Sequence, residues 1–118
     1  FMRGRDREIV LGTPGGSRII TMVLLGILGF DDGLTPQQVV ALPRFHHQYL
    51  PDEISIEPGA LSPQIVKQLE TMGHKVDTRD STWGDMQAVE WNRRDNTLSG
   101  GTDPRNEVGR VSVVGEMR

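Results

Sequence analysis

The segment Gly12-Thr13-Pro14-Gly15-Gly16-Ser17-Arg18 carries the clearest chemical signal in this sequence. It lies between the apolar run Ile9-Val10-Leu11, which predicts the end of a buried strand, and an apolar stretch that predicts a helix. Two consecutive glycines let the backbone turn freely and come close to a bound group. Backbone N–H groups at the start of the helix would point outward and carry the positive end of the helix dipole. The segment therefore predicts a turn that binds an anion, either a phosphate or a catalytic oxyanion.

The two best-defined phosphate motifs are missing from this turn. No Lys-Ser or Lys-Thr pair follows the glycines, so it is not a Walker loop, and the Gly-x-Gly-x-x-Gly spacing of dinucleotide sites is absent. A tight turn that binds nothing is the plain alternative. Ser17 is not set in a Gly-x-Ser-x-Gly nucleophile motif, so we expect it to cap the following helix.

The remaining polar candidates favour structural roles over chemistry. His46 and His47 are adjacent, so on an extended backbone their side chains point to opposite sides, and His74 is isolated. With no cysteine in the chain, we expect hydrogen bonding by these histidines and no metal site. Asp103-Pro104-Arg105 predicts a structural ion pair or an Asx turn. The other clustered carboxylates are expected to be turn and cap residues: Asp31, Asp32, Asp52, Glu53, Asp80 and Asp85.

The elements that must position these residues alternate between helix and strand. Besides the Ile9–Leu11 strand, the pattern predicts a helix that begins near Ser17 and stops at Asp31-Asp32-Gly33. This helix is apolar almost all round, so we expect other parts of the protein to pack against it on several sides. An irregular but ordered connection is expected over residues 44–51. The further elements are a helix capped by Thr35 with Pro36 first, a strand over 54–56, a helix from Ser62-Pro63 to Gly73, a strand over 75–77, and a hairpin of 86–91 with 97–100. This order predicts an α/β layered arrangement.

Length and charge narrow the possible functions. A chain of 118 residues is the size of one domain, and its net charge of −3 disfavours a nucleic-acid surface. Arg3, Arg5 and Arg7 alternate with acidic residues and predict a solvated face. The longest apolar stretch stops short of the roughly 20 residues that a membrane span needs.

Four motifs occur in a fixed order: Gly12–Ile20, Pro43-Arg44-Phe45-His46-His47-Gln48, Pro51-Asp52-Glu53 and Gly101-Thr102-Asp103-Pro104-Arg105. Together they resemble the C-terminal part of the small subunit of γ-glutamyltranspeptidases. The resemblance runs from about Ile9 to about Arg105. Residues 1–118 are accordingly expected to form a single segment, an incomplete domain of that subunit.

The resemblance implies an N-terminal-nucleophile hydrolase, whose fold is a four-layer αββα sandwich. Such a precursor is a zymogen that cleaves itself and exposes a threonine, which transfers a γ-glutamyl group from glutathione or a related amide to water or an amino-acid acceptor. By motif position, Gly15 and Gly16 would supply the N–H groups of the oxyanion hole. The family uses no cofactor for this reaction. Its implied partners are the remainder of the small subunit, the large subunit and the γ-glutamyl substrate.

The resemblance also limits what this chain can do alone. The nucleophilic threonine of the family lies upstream of the glycine turn, beyond the eleven residues that precede Gly12, so the isolated chain is expected to be inactive and prone to self-association. A periplasmic or extracellular location is implied. A related acylase acting on a β-lactam side chain or on poly-γ-glutamate is an open alternative, as is a non-catalytic interaction module of the same fold.

Overall fold

The computed structural model describes residues 1–114. In chain order its elements are β1 (Met2–Arg3), β2 (Arg7–Gly12), a 3-10 turn (Gly16–Arg18), α1 (Ile19–Asp31), α2 (Pro36–Ala41), β3 (Phe45–His46), β4 (Ile54–Ile56), α3 (Pro63–Thr71), β5 (Val76–Thr78), β6 (Gln87–Asn92) and β7 (Thr97–Thr102). The predicted strands and helices are confirmed in type and order. Only the short strands β1 and β3 lie outside the prediction.

Four strands form an antiparallel sheet in the order β1-β2-β6-β7. The central pair joins the two ends of the chain, with Leu11 opposite Ala88 and Gly12 opposite Gln87. β6 and β7 form the hairpin that the sequence predicts, with Asn92 opposite Thr97 at its closed end. The sheet therefore brings the glycine turn, which follows β2, next to the segment that precedes β6.

Helices α1 and α2 cover one face of this sheet. Side chains at alternate positions of β2 and β6 point toward the helices, because successive residues of a strand face opposite sides. The buried core consists of Ile9, Met22, Phe30, Val39, Val40, Met86 and Ala88. Glu90 shares this face and is buried, as its position in the strand predicts, and the guanidinium of Arg7 binds its carboxylate through two bonds of 2.7 and 2.8 Å. The prediction that Arg7 belongs to a solvated face is wrong, since its strand position turns it toward Glu90.

The opposite face of the sheet is uncovered over its apolar centre. Val10, Val89 and Leu98 are each about half exposed, at 50%, 53% and 56%. Helix α1 also has an open stripe, formed by Ile20, Leu24 and Leu28 at successive turns. Helix α1 was predicted to be packed on several sides, but within residues 1–114 it is packed on only one side.

A second, smaller sheet has the order β3-β4-β5, with β3 antiparallel and β5 parallel to β4. Ser55 in β4 is buried along with Ile56, although a polar residue between two isoleucines is typical of the solvated side of a strand. Ser55 lies opposite His46, and both side chains are covered. Both predicted caps are present: Thr35 Oγ1 accepts from the N–H of Gln38, and Ser62 Oγ accepts from that of Ile65.

None of the helices over residues 1–114 has both the length and the apolar character needed to cross a membrane.

Candidate active site at the glycine turn

The turn between β2 and α1 requires glycine at two consecutive positions. Gly15 has φ 144° and ψ 19°, a conformation closed to L residues, and Gly16 has φ 59°. A Cβ at Gly15 would also lie 2.6 Å from Cε of Met22, a core residue of α1. A Cβ at Gly16 would meet no atom within 4 Å. The glycine pair therefore turns the chain sharply while keeping its outer side open.

The N–H groups of this pair have no acceptor within the described part of the chain. Among residues 1–114, neither the Gly15 nor the Gly16 N–H donates a hydrogen bond to the chain, and both residues are exposed. The carbonyl groups, by contrast, are used: Gly15 O accepts from Arg18 N at 3.2 Å, and Gly16 O accepts from Ile19 N. Two adjacent donors at the start of a helix are thus available to an anion.

The start of the turn is held by the segment that leads into β6. Thr13 Oγ1 donates to Pro14 O at 2.9 Å and accepts from Asp85 N at 3.2 Å. Gly84 packs so closely that a Cβ there would lie 2.5 Å from Met22 Sδ and 2.7 Å from Arg44 Nη1. A groove of about 800 Å³ on the uncovered sheet face begins at Gly12, Thr13 and Pro14. The turn is therefore fixed at its start, which lines this groove.

The other end of the turn is held by side chains of the β3 region. Ser17 Oγ donates to Gln48 Oε1 at 2.8 Å, and the same oxygen lies 2.8 Å from Nε2 of the buried His46. His46 Nδ1 is 2.7 Å from Thr21 Oγ1 on α1. The prediction that Ser17 caps the helix is wrong, because the 3-10 turn has no side-chain cap and Ser17 bonds across to Gln48.

A buried network of four charges lies behind the turn, formed by Arg44, Glu57, Asp103 and Arg105. Asp103 accepts from Arg44 Nη2 at 2.6 Å and from Arg105 Nη1 at 3.0 Å. Glu57 accepts from both Nε and Nη2 of Arg105, at 2.9 and 2.5 Å. Two positive and two negative charges cancel, and each carboxylate is satisfied by further donors, which makes burial tolerable.

Backbone groups complete this network and connect it to the turn. Glu57 also accepts from the N–H of Arg44 and of Trp83, and Asp103 accepts from that of Met86. The network thus fixes the 83–86 segment, against which Thr13 rests. Trp83 in turn lies under the guanidinium of Arg18, whose Cζ is 4.4 Å from the ring centroid.

The contacts within the network shift the pKa values of Asp103 and Arg105. Burial disfavours the charged form of Asp103, but the N–H groups of Met86 and Arg105 and the two guanidinium groups outweigh it and hold the pKa of Asp103 below its ordinary value. Burial likewise opposes the charge of Arg105, yet its bonds to Glu57 and Asp103 raise its pKa above the ordinary value. Both shifts favour the charged forms of Asp103 and Arg105.

The structural ion pair predicted at Asp103 and Arg105 is confirmed, together with an Asx bond from Arg105 N to Asp103 Oδ1. The hydrogen-bonding role predicted for histidine holds for His46 and for His47, which bonds Asp52 and the N–H of Tyr49. No group of three or more His, Asp or Glu within residues 1–114 is arranged to hold a metal ion. Glu57 was missed, because a single glutamate after a short strand has no sequence pattern that marks it as buried.

A comparison with known protein families shows to which of them the chain belongs. The model of the gamma-glutamyltranspeptidase family matches residues 2–113, nearly the whole chain. The chain belongs to this family. The observed helices and sheets of this gamma-glutamyltranspeptidase segment agree with the predicted fold, a part of the N-terminal-nucleophile hydrolase sandwich.

Named relatives and solved structures agree with this assignment. The chain is 43% identical over 99 residues to a glutathione hydrolase proenzyme of Escherichia coli, a match covering 83% of this chain and 17% of the relative. It is 52% identical over 68 residues to one of a Pseudomonas species, covering 57% and 12%. The structure of gamma-glutamyltranspeptidase from Pseudomonas nitroreducens complexed with L-DON superposes with a TM-score of 0.82 at 35% identity, covering 98% of this chain and 60% of that one.

The Bacillus anthracis transpeptidase CapD shares the fold, with a TM-score of 0.80 at 24% identity over 96% of this chain and 68% of that one. The chain spans about a sixth or less of the length of the two curated relatives above. It thus corresponds to a limited part of the proenzymes that it matches.

Proposed function

We propose that this chain is the C-terminal segment of a γ-glutamyl acyltransferase and supplies its oxyanion hole. In the complete protein, the hydroxyl of an N-terminal threonine attacks the γ-carbonyl of a γ-glutamyl amide such as glutathione. The carbonyl oxygen becomes an oxyanion in the tetrahedral intermediate, and the N–H groups of Gly15 and Gly16 donate to it. The intermediate collapses with cleavage of the C–N bond, and the amine leaves with the proton given up by the threonine hydroxyl. Water or an amino-acid or peptide acceptor then takes the acyl group from the threonine ester and frees the threonine.

The single observation that carries this proposal is the pair of exposed, unbonded N–H groups at the glycine turn. An oxyanion hole needs donors whose positions are fixed before the reaction, since they then need no reorganisation as charge develops. The turn meets this requirement, because Thr13 and Asp85 hold its start and Ser17 and Gln48 hold its end. Loss of one such donor typically costs on the order of 3 kcal/mol of transition-state stabilisation.

The uncovered apolar faces support the proposed partners. In an αββα sandwich, the bare face of the four-stranded sheet packs against a second sheet, which the rest of the protein would contribute. Val10, Val89 and Leu98 would be buried there, and the open stripe of α1 would be covered from the helical side. On its own the chain has no nucleophilic threonine at the position that the family uses, so it should not turn over substrate. A periplasmic or extracellular location belongs to the same proposal.

The test is to produce the intact parent protein with its upstream segment and to follow two reactions. Mass spectrometry should show self-cleavage immediately before a threonine, and a γ-glutamyl anilide should release its chromophore. A control variant with that threonine replaced by alanine should do neither. A parent that neither cleaves itself nor releases the chromophore contradicts the proposal. A panel with glutathione, poly-γ-glutamate and a β-lactam side-chain amide then identifies the substrate class, and activity on the last alone would favour an acylase.

A further inference from the structure

We propose that His46 and Gln48 are positioning residues for the oxyanion donors, which they hold through Ser17. The inference rests on the proposed function, since it concerns the same two N–H groups. Ser17 directly follows Gly16, and over residues 15–18 its bond to Gln48 is the only side-chain hydrogen bond within the described part of the chain. Gln48 therefore holds the end of the turn that the bond between Thr13 and Asp85 does not reach.

The donors and acceptors in the series of hydrogen bonds that links Ser17, Gln48, His46 and Thr21 can be assigned from their chemistry. Gln48 Nε2 donates to Leu50 O at 2.9 Å, which places Oε1 toward Ser17 and His46. Because Oε1 can only accept, the hydrogen on His46 must be at Nε2. In the neutral ring Nδ1 then accepts from the Thr21 hydroxyl, at 2.7 Å. One tautomer thus satisfies the whole path from Thr21 to Ser17.

The far end of this path is rigid. His46 is 5% exposed, lies in β3 and is paired with Ser55 of β4, so its ring cannot move without disrupting the second sheet. Thr21 belongs to α1, whose first turn follows the glycine pair. The path therefore ties the glycine turn to a buried strand on one side and to its own helix on the other. Gly15 and Gly16 have no side chains to provide such a tie themselves.

Glutamine variants separate positioning from general stability. Gln48→Met keeps the length of the side chain but removes the acceptor for Ser17 and His46, whereas Gln48→Glu keeps acceptor oxygens for both. In the intact parent protein, Gln48→Met should lower kcat about 10- to 100-fold with little change in KM, because the donors act mainly on the transition state. Gln48→Glu loses the donor to Leu50 O but keeps the acceptors, so it should retain more activity than Gln48→Met. Gln38→Met, which removes the α2 capping bond to Thr35 N, is the matched control and should leave kcat unchanged.

Two further measurements make the test specific. Ser17→Ala should lower kcat by a similar factor. The double variant of Ser17→Ala and Gln48→Met should have a kcat no lower than that of the less active single variant, because both substitutions remove the same bond. Hydrogen exchange followed by mass spectrometry should show faster exchange in the peptide spanning residues 14–20 in Gln48→Met, and unchanged exchange there in Gln38→Met.

Unchanged exchange in this peptide would overturn the inference, as would faster exchange with a wild-type kcat or additive effects of the two substitutions. A wild-type parent that transfers no γ-glutamyl group overturns the proposed function instead. In that case faster exchange in Gln48→Met would still support the tie between Gln48 and the turn, so the two failures are distinguishable.

Discussion

Gly15→Ala is the most informative substitution for the proposed oxyanion hole. The added Cβ would lie 2.6 Å from Met22 Cε, about 1 Å closer than ordinary carbon contacts allow. The φ of 144° at this position is also closed to alanine. Met22 Cε is the end of a flexible side chain and can shift, but alanine cannot keep this backbone conformation, so the turn must change. A displacement of about 1 Å would take a donor from about 3 Å to about 4 Å from the oxyanion. That displacement amounts to losing the donor, so we expect kcat to fall by about 10²- to 10³-fold.

The assay is chromophore release from a γ-glutamyl anilide by the intact parent, with its subunits expressed separately so that slow self-cleavage does not obscure the result. Gly59→Ala is the matched control, because Gly59 also has a positive φ, of 73°, and open space around it. It should cost about 1 kcal/mol of folding stability and leave kcat unchanged. Adding Met22→Ala to Gly15→Ala relieves the contact but not the backbone conformation, so kcat should not recover. Wild-type kcat in Gly15→Ala would refute the role of this turn in catalysis.

Three further predictions concern stability and assembly. Arg105→Met removes five hydrogen bonds from the buried network, so it should lower the free energy of unfolding of the parent by about 3–5 kcal/mol, measured in urea. The control Arg79→Met breaks an exposed pair with Asp77 and should cost at most about 1 kcal/mol. Equal losses in the two variants would contradict a stabilising role of the network. Folding lowers the pKa of Asp103, so its contribution to stability is present above its unfolded value of about 3.9 and is lost as the pH falls below it. The free energy of unfolding should therefore fall more steeply with acid in wild type than in Asp103→Asn, and equal slopes would contradict this prediction. The isolated chain should sediment as oligomers, and Leu24→Lys should reduce its association; a monodisperse wild-type monomer would contradict this.

The elements were predictable from local sequence because their signals are local. Thr35-Pro36 and Ser62-Pro63 begin helices as expected, since a side-chain oxygen before a proline satisfies the first N–H groups of a helix wherever it occurs. The hairpin of 86–91 with 97–100 was likewise predictable, because turn-forming residues separate two short runs that each favour a strand.

The contacts that hold the glycine turn were not predictable in the same way. Glu57 is separated from its partner Arg105 by 48 residues, and Gln48 from Ser17 by 31. No periodicity relates such positions, so only the folded chain reveals that they meet. The capping role expected of Ser17 failed for this reason, because a distant acceptor replaced the local one.

The pairing of β2 with β6 has a consequence for synthesis of the protein. Arg7 binds Glu90, 83 residues later, and the start of the glycine turn rests on Asp85. At about 5–20 residues per second, a ribosome needs roughly 4–16 s to make the intervening chain. During that time β2 lacks its central neighbour, and Thr13 at the start of the turn lacks its bond from Asp85 N. The proposed oxyanion hole can therefore form only after the β6–β7 hairpin has emerged, which delays any chemistry that depends on it until then.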